Sequence, residues 1–152
     1  MGFCLMEAFS WVIHKYLMHG VLWNIHKTHH THGKGFFELN DVFTCIFGGT
    51  AITLILLGVE QLDYRFWIGC GISLYGMSYF LLHDVLIHRR LKWFDKPKNK
   101  YLKAIAEAHK AHHQTQKENA VSFGLFVVPR RFLKEEGTQK MFSEYNLVYL
   151  YV

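Results

Sequence analysis

Long apolar blocks alternate along this chain with histidine-rich polar stretches, and the blocks set the architecture. Val42 to Val59, "VFTCIFGGTAITLILLGV", runs eighteen residues without a charge, and Phe66 to Leu82, "FWIGCGISLYGMSYFLL", runs seventeen more. At ~1.5 Å of rise per residue each approaches the hydrocarbon thickness of a bilayer, so both are read as transmembrane helices. A buried hairpin in a soluble core is the alternative, but so small a domain could hardly cover two such helices on every face. Only six residues, "EQLDYR" from Glu60 to Arg65, join them. That link forces an antiparallel hairpin, which brings Val42 and Leu82 out on the same side. The opening "MGFCLMEAFSWVI" is apolar but short, carries Glu7, and lacks the basic region and cleavage site of a signal peptide. It is expected to be the last part of a membrane helix whose beginning lies outside this chain.

The polar stretches carry the histidines. Ten of the eleven fall into four clusters: His14-x4-His19, His26-x2-His29-His30, His83-x4-His88 and His109-x2-His112-His113. An x4 pair followed by an x2 pair-plus-one thus occurs twice, and the hairpin topology puts all four clusters on one membrane face. His32 is left over and is expected in a loop.

Charge says which face. The hairpin turn holds Arg65 alone, whereas Asp84 to Glu118 holds nine basic residues. The positive-inside tendency makes the histidine side cytoplasmic. No nucleic-acid-binding motif accompanies these basic residues, and they are read as a solvated, headgroup-facing surface. Length predicts a single domain over residues 1–136, with an uncertain tail over 137–152. Cys4, Cys45 and Cys70 all lie inside apolar blocks without a CxxC spacing, so they are read as packed hydrophobes.

The spacing suits metal. Positions i, i+3 and i+4 share one face of an α-helix, so each HxxHH presents three imidazoles together. Residues i and i+5 stand about 140° apart on an ideal helix, so the x4 pairs need a distorted, π-type turn or serve different ions. A distorted turn is predicted at one or both pairs. A single histidine here would be read as a core residue or cap. Ten crowded together would repel when protonated, or leave buried nitrogens unsatisfied when neutral, and shared metal ions resolve both problems. Two ions with about five nitrogens each leave roughly one octahedral position open, unlike closed tetrahedral zinc. Imidazole alone does not choose among iron, zinc, copper and nickel.

The four clusters, with "HKYLMHG", "KGFFELND", "HDVLIHRR", "YLKAIAEAHKAHH" and "VSFG", closely resemble the bacterial-type β-carotene hydroxylases of the fatty acid hydroxylase and sterol desaturase superfamily. The likeness runs from about Met6 to about Leu133. It implies an all-α integral membrane protein of three to four transmembrane helices under a cytoplasmic, histidine-rich dimetal cap, in a bacterial inner membrane. It implies a non-haem diiron monooxygenase that hydroxylates carbon 3 of the β-ionone rings of β-carotene, through β-cryptoxanthin to zeaxanthin. O2 and two external electrons would serve each hydroxylation, and zinc could replace iron in isolated protein. Carried over by position, the ligands are His14, His19, His26, His29, His30, His83, His88, His109, His112 and His113. With no flavin or cytochrome b5-like segment present, electrons are expected from a ferredoxin and its reductase docking on the basic surface.

A metal-bound histidine usually gives its other N–H to an acceptor. Asp84, Asn40 and Asp41 are the preferred partners, with Glu7 next because it precedes His14 by seven residues on the same helical face; Glu38 stands nearby. Trp23, Tyr75, Tyr79 and Phe80 are candidate walls for a ring entering sideways from the bilayer, with an aromatic interface belt as the competing reading. "AVSFGLFVV", Ala120 to Val128, is too short to span and is expected at the interface beside the site. The rival readings are a carotenoid ketolase, a fatty acyl or sterol hydroxylase, and a metal transporter or store. Transport sites lie near the bilayer midplane, and neither apolar block contains a histidine. A zinc hydrolase lacks its HExxH glutamate.

Overall fold

The computed structural model describes residues 2–31, 35–94, 97–115 and 121–133. The expected tail over 137–152 and the left-over His32 lie outside the described residues. Every regular element among those residues is helical. Helix α1 (Gly2–Val12) runs into a π-helical segment, Ile13–Val21, and then α2 (Trp23–Thr31). Helices α3 (Asp41–Gly58) and α4 (Tyr64–Tyr79) form the hairpin, and α4 continues as a second π-helical segment, Phe80–Ile87. Helix α5 (Lys100–Gln114) and a short 3-10 turn, Arg130–Phe132, complete the order.

Two helical stretches, Asp41–Gly58 and Tyr64–Ile87, are long and apolar enough to cross a membrane by length and composition. Their outer faces expose Ile52, Leu56, Leu57, Trp67, Leu74 and Met77, a band that lipid would cover and water would not. Small residues make the seam between them. A Cβ on Gly69 would stand 2.8 Å from the Ala51 carbonyl oxygen, so the two backbones touch where glycine permits it. The turn is fixed by Asp63, whose carboxylate accepts the Arg65 amide at 2.9 Å and its guanidinium at 2.6 Å.

Helix α5 starts at Asn99, whose side chain accepts the amides of Tyr101 and Leu102. Its apolar stripe of Ala104, Ile105, Ala108 and Ala111 is buried against Leu125, Val128 and Phe132. The small alanines let the 121–133 segment lie close, while His109 and His112 on the same helix are also buried.

His14 and His19 sit on the first π-helical segment, and His83 sits on the second with His88 as its C-terminal cap, so the predicted distortion occurs twice. The His88 amide donates to the His83 carbonyl, and the Leu22 amide to the Leu17 carbonyl, each a five-residue bond of 2.9 Å. The wider turn brings residues five apart onto one face. The ring centroids of His14 and His19 are 5.1 Å apart, and those of His83 and His88 4.5 Å. Just beyond the second segment Arg89 takes a left-handed conformation, with φ of 55°. That reversal lets the Arg90 amide donate to the Asp84 carbonyl at 2.9 Å and turns the Arg90 side chain back toward the site.

Candidate metal centre

The four histidine clusters converge into two neighbouring sets. His14, His19, His26, His30 and His112 form one, and His29, His88, His109 and His113 the other, with the ligating atoms of each set within 4.8 Å of one another. The ring of His83 lies against the second set, its centroid 4.7 Å from His29, 4.5 Å from His88 and 4.6 Å from His109. The sets interleave, because α2 gives His26 and His30 to the first and His29 to the second. Helix α5 likewise gives His112 to the first and His109 and His113 to the second. On both helices positions i and i+4 therefore share a set while the residue at i+3 goes to the other, and each helix faces both sets.

The inward atoms are Nε2 throughout. In the first set His14 and His26 approach at 3.0 Å, His30 and His26 at 3.2 Å, and His19 and His112 at 3.1 Å. In the second, His88 and His109 approach at 2.8 Å and His113 and His29 at 3.1 Å. The outward Nδ1 atoms explain why. His14 Nδ1 donates to the Phe123 carbonyl at 2.8 Å, and His112 Nδ1 to the Val121 carbonyl at 3.0 Å. His26 Nδ1 donates to Asn40 Oδ1 at 2.7 Å, and His29 Nδ1 to Glu38 Oε2 at 3.0 Å. Acceptors of this kind fix each proton on Nδ1 and aim the Nε2 lone pair inward.

That arrangement tests whether a cation fits. The rings of His14 and His26 both spend their proton outward, so their Nε2 lone pairs face each other at 3.0 Å with no hydrogen between them. A proton would not settle there easily. Burial pushes His26 down to about 4 and His112 down to about 2, with neighbouring imidazoles pushing the same way. His29 and His109 are likewise held well below the ordinary value, by burial first and then by His83 and its neighbours. His83 gives Nδ1 to Asp84 at 3.3 Å, while its buried Nε2 has no hydrogen-bond partner among the described residues. Neutral, inward-facing imidazole nitrogens are what a transition-metal ion requires, and this donor set fits one ion in each group.

The expected partner residues divide. Asn40 and Asp84 meet ring nitrogens directly, and so does Glu38. Asp41 meets Arg90 instead, accepting its Nη1 at 2.9 Å, and also accepts the Glu38 amide at 3.0 Å. Glu7 is a correction. Its buried carboxylate accepts the Tyr75 hydroxyl and the amides of Phe126 and Val127, and no imidazole among the described hydrogen bonds. The seven-residue spacing assumed α-helical winding, which the π-helical segment from Ile13 interrupts.

Of the candidate wall residues, Tyr79 stacks on His83 at 4.5 Å and Trp23 lies 5.2 Å from both His19 and His30. Tyr75 is occupied with Glu7, and Phe80 is partly exposed beside Trp93. Phe123 went unnoticed in the sequence, yet its ring packs on His14, His19 and His112 at 5.1–5.6 Å. It lies in the 121–128 stretch, which runs beside the site as expected. A groove of about 450 Å³, lined by Trp11, Ser122, Phe123, Val127 and Arg131 among others, opens there, away from the four expected wall residues.

Comparison with known proteins places the chain. It matches the fatty acid hydroxylase family over residues 1–130. It is 45% identical over 127 residues to the β-carotene hydroxylase of Pseudescherichia vulneris, covering 83% of this chain and 72% of that protein. With the β-carotene hydroxylase of Pantoea ananas the identity is 42% over 125 residues, covering 82% and 71%. A plant relative, β-carotene 3-hydroxylase 1 of Arabidopsis thaliana chloroplasts, is 36% identical over 143 residues, 91% of this chain and 46% of its own length. No solved structure matches. The chain belongs to the fatty acid hydroxylase family and is a hydroxylase, an oxidoreductase by class.

Proposed function

We propose that this chain is a membrane-bound diiron monooxygenase that hydroxylates carbon 3 of the β-ionone rings of β-carotene. The observation that carries this reading is the pair of inward-facing Nε2 sets, each ready for one ion, in a chain similar to named β-carotene hydroxylases. The ten clustered histidines are the proposed ligands, five to each ion, with His83 completing the second set. Iron held there would supply the oxidising power that an unactivated C–H bond demands, with O2 as co-substrate and electrons from an external carrier such as a ferredoxin.

The chain's own residues hold and shield. Asn40, Glu38, Asp84 and the carbonyls of Val121 and Phe123 fix the tautomers of His26, His29, His83, His112 and His14, so the inward nitrogens of these five rings are lone pairs. Phe123, Trp23 and Tyr79 cover the rings with apolar surface and keep water from the reacting end. Carotenes dissolve in lipid, so the ring approaches from the bilayer between helices, and positioning it near the metals is the protein's main contribution to rate. The hairpin topology supports a site at one membrane face, and the basic residues around Arg89 to Lys110 favour the cytoplasmic side of an inner membrane for it.

Expression in cells that accumulate β-carotene tests the reading. The expected pigments are β-cryptoxanthin and zeaxanthin. Canthaxanthin would assign a ketolase instead, and unchanged carotene beside a hydroxylated fatty acyl or sterol product would assign the substrate elsewhere.

A further inference from the structure

The two histidine sets are supported by different chemistry. Around the first, the Nδ1 acceptors of His14, His112 and His26 are neutral: the Phe123 and Val121 carbonyls and the Asn40 amide oxygen. Around the second, those of His29 and His83 are carboxylates, Glu38 and Asp84. One side chain gathers those carboxylates. Arg90 lies 2.9 Å from Glu38, 2.9 Å from Asp41 and 3.2 Å from Asp84, and is itself largely shielded. Glu38, Asn40 and Asp41 come from a single turn at the start of α3, so that turn reaches His26 of one set, His29 of the other, and Arg90.

We propose that Arg90 is a positioning residue for the second metal set alone. Through Glu38 and Asp84 it holds His29 and His83 in register, while Asn40 serves the first set, which makes the two metal positions inequivalent. A planar guanidinium suits this role because its five donors, set in a rigid fork, hold three carboxylates at fixed positions, whereas a lysine ammonium is a compact point charge on a flexible stem. Without Arg90, three neighbouring carboxylates would repel, and the two that hold imidazoles would be drawn apart. The inference rests on the two-metal reading above.

The test is ferrous-ion binding to the purified full-length chain in detergent, followed by competition with a chelator. Wild type is expected to hold two equivalents. Arg90→Gln should weaken one of them by about 10–100-fold and leave the other unchanged, the usual size of an outer-partner loss. Asn40→Ala should weaken the other one, and the double variant should weaken both. Arg90→Lys should restore little. If Arg90→Gln does not fold, Asp84→Asn carries the same expectation for the same equivalent. Two equivalents in wild type with Arg90→Gln binding both normally, or both weakened alike by either variant, would overturn the inference alone. Fewer than two in wild type would overturn it together with the two-metal reading.

Discussion

The Tyr75 hydroxyl donates to Glu7 Oε2 at 2.8 Å, and the same carboxylate takes the amides of Phe126 and Val127 through Oε1 at 2.8 and 3.0 Å. One buried acid thereby ties α1 to α4 and to the segment whose carbonyls orient His14 and His112. A carboxylate in an apolar helix is tolerable only with such partners.

Glu7→Ala should therefore strand the buried Tyr75 hydroxyl and two partly buried amides, destabilising the fold by roughly 2–4 kcal/mol, whereas Glu7→Gln, which keeps an acceptor, should lose about half as much. Thermal unfolding in detergent measures both. Equal melting temperatures for Glu7→Ala and wild type would show that the carboxylate anchors nothing.

The hairpin seam gives a second expectation. A Cβ at Gly69 meets the Ala51 carbonyl at 2.8 Å and the Ile55 amide nitrogen at 2.9 Å, and backbone cannot yield as a side chain can. Gly69→Val should force α3 from α4 and cost about 1–3 kcal/mol, read as a lower melting temperature. Gly76, with open space around the same construction, should accept alanine with little change.

Acid sensitivity follows from the imidazoles. His26 and His112 are depressed from 6.5 to about 4 and about 2 in the folded chain, chiefly by burial. As pH falls below 6.5 the unfolded chain takes up protons that these folded rings refuse, so stability drops as pH falls, continuing through 4 toward 2. Unfolding of chelator-treated protein between pH 7.5 and 4.5 should show a steadily falling midpoint, and His112→Gln should flatten the slope. A midpoint independent of pH would contradict the buried neutral rings.

Much of this was legible in the sequence, for particular reasons. The uncharged runs marked α3 and α4, since eighteen residues without a charge are long and apolar enough for a membrane-length helix. The x4 spacing implied wound-out turns because an ideal helix cannot face both rings one way, and both turns are π-helical. The division of HxxHH between two sets was not legible, because it depends on how α2 and α5 are rotated against each other. Nor were the acceptors at Val121 and Phe123, whose main-chain oxygens no residue type announces. Arg90 read as one more positive charge, since its three carboxylate partners come from positions 38, 41 and 84 and meet only in the fold. Glu7 pointed to His14 only under unbroken α-helical winding.

His112 has no exposed surface and faces His19 across 3.1 Å, so it tests the first set most sharply. His112→Ala should abolish pigment hydroxylation in carotene-producing cells while the protein still reaches the membrane, as judged by fractionation. Full hydroxylation would remove it from the ligand set.

The central claim is that each histidine set grips its own transition-metal ion, and the metal-to-chain ratio of purified, active protein tests it most directly. Elemental analysis against quantitative amino-acid analysis should give close to two irons per chain. A ratio near one in fully active protein would contradict it.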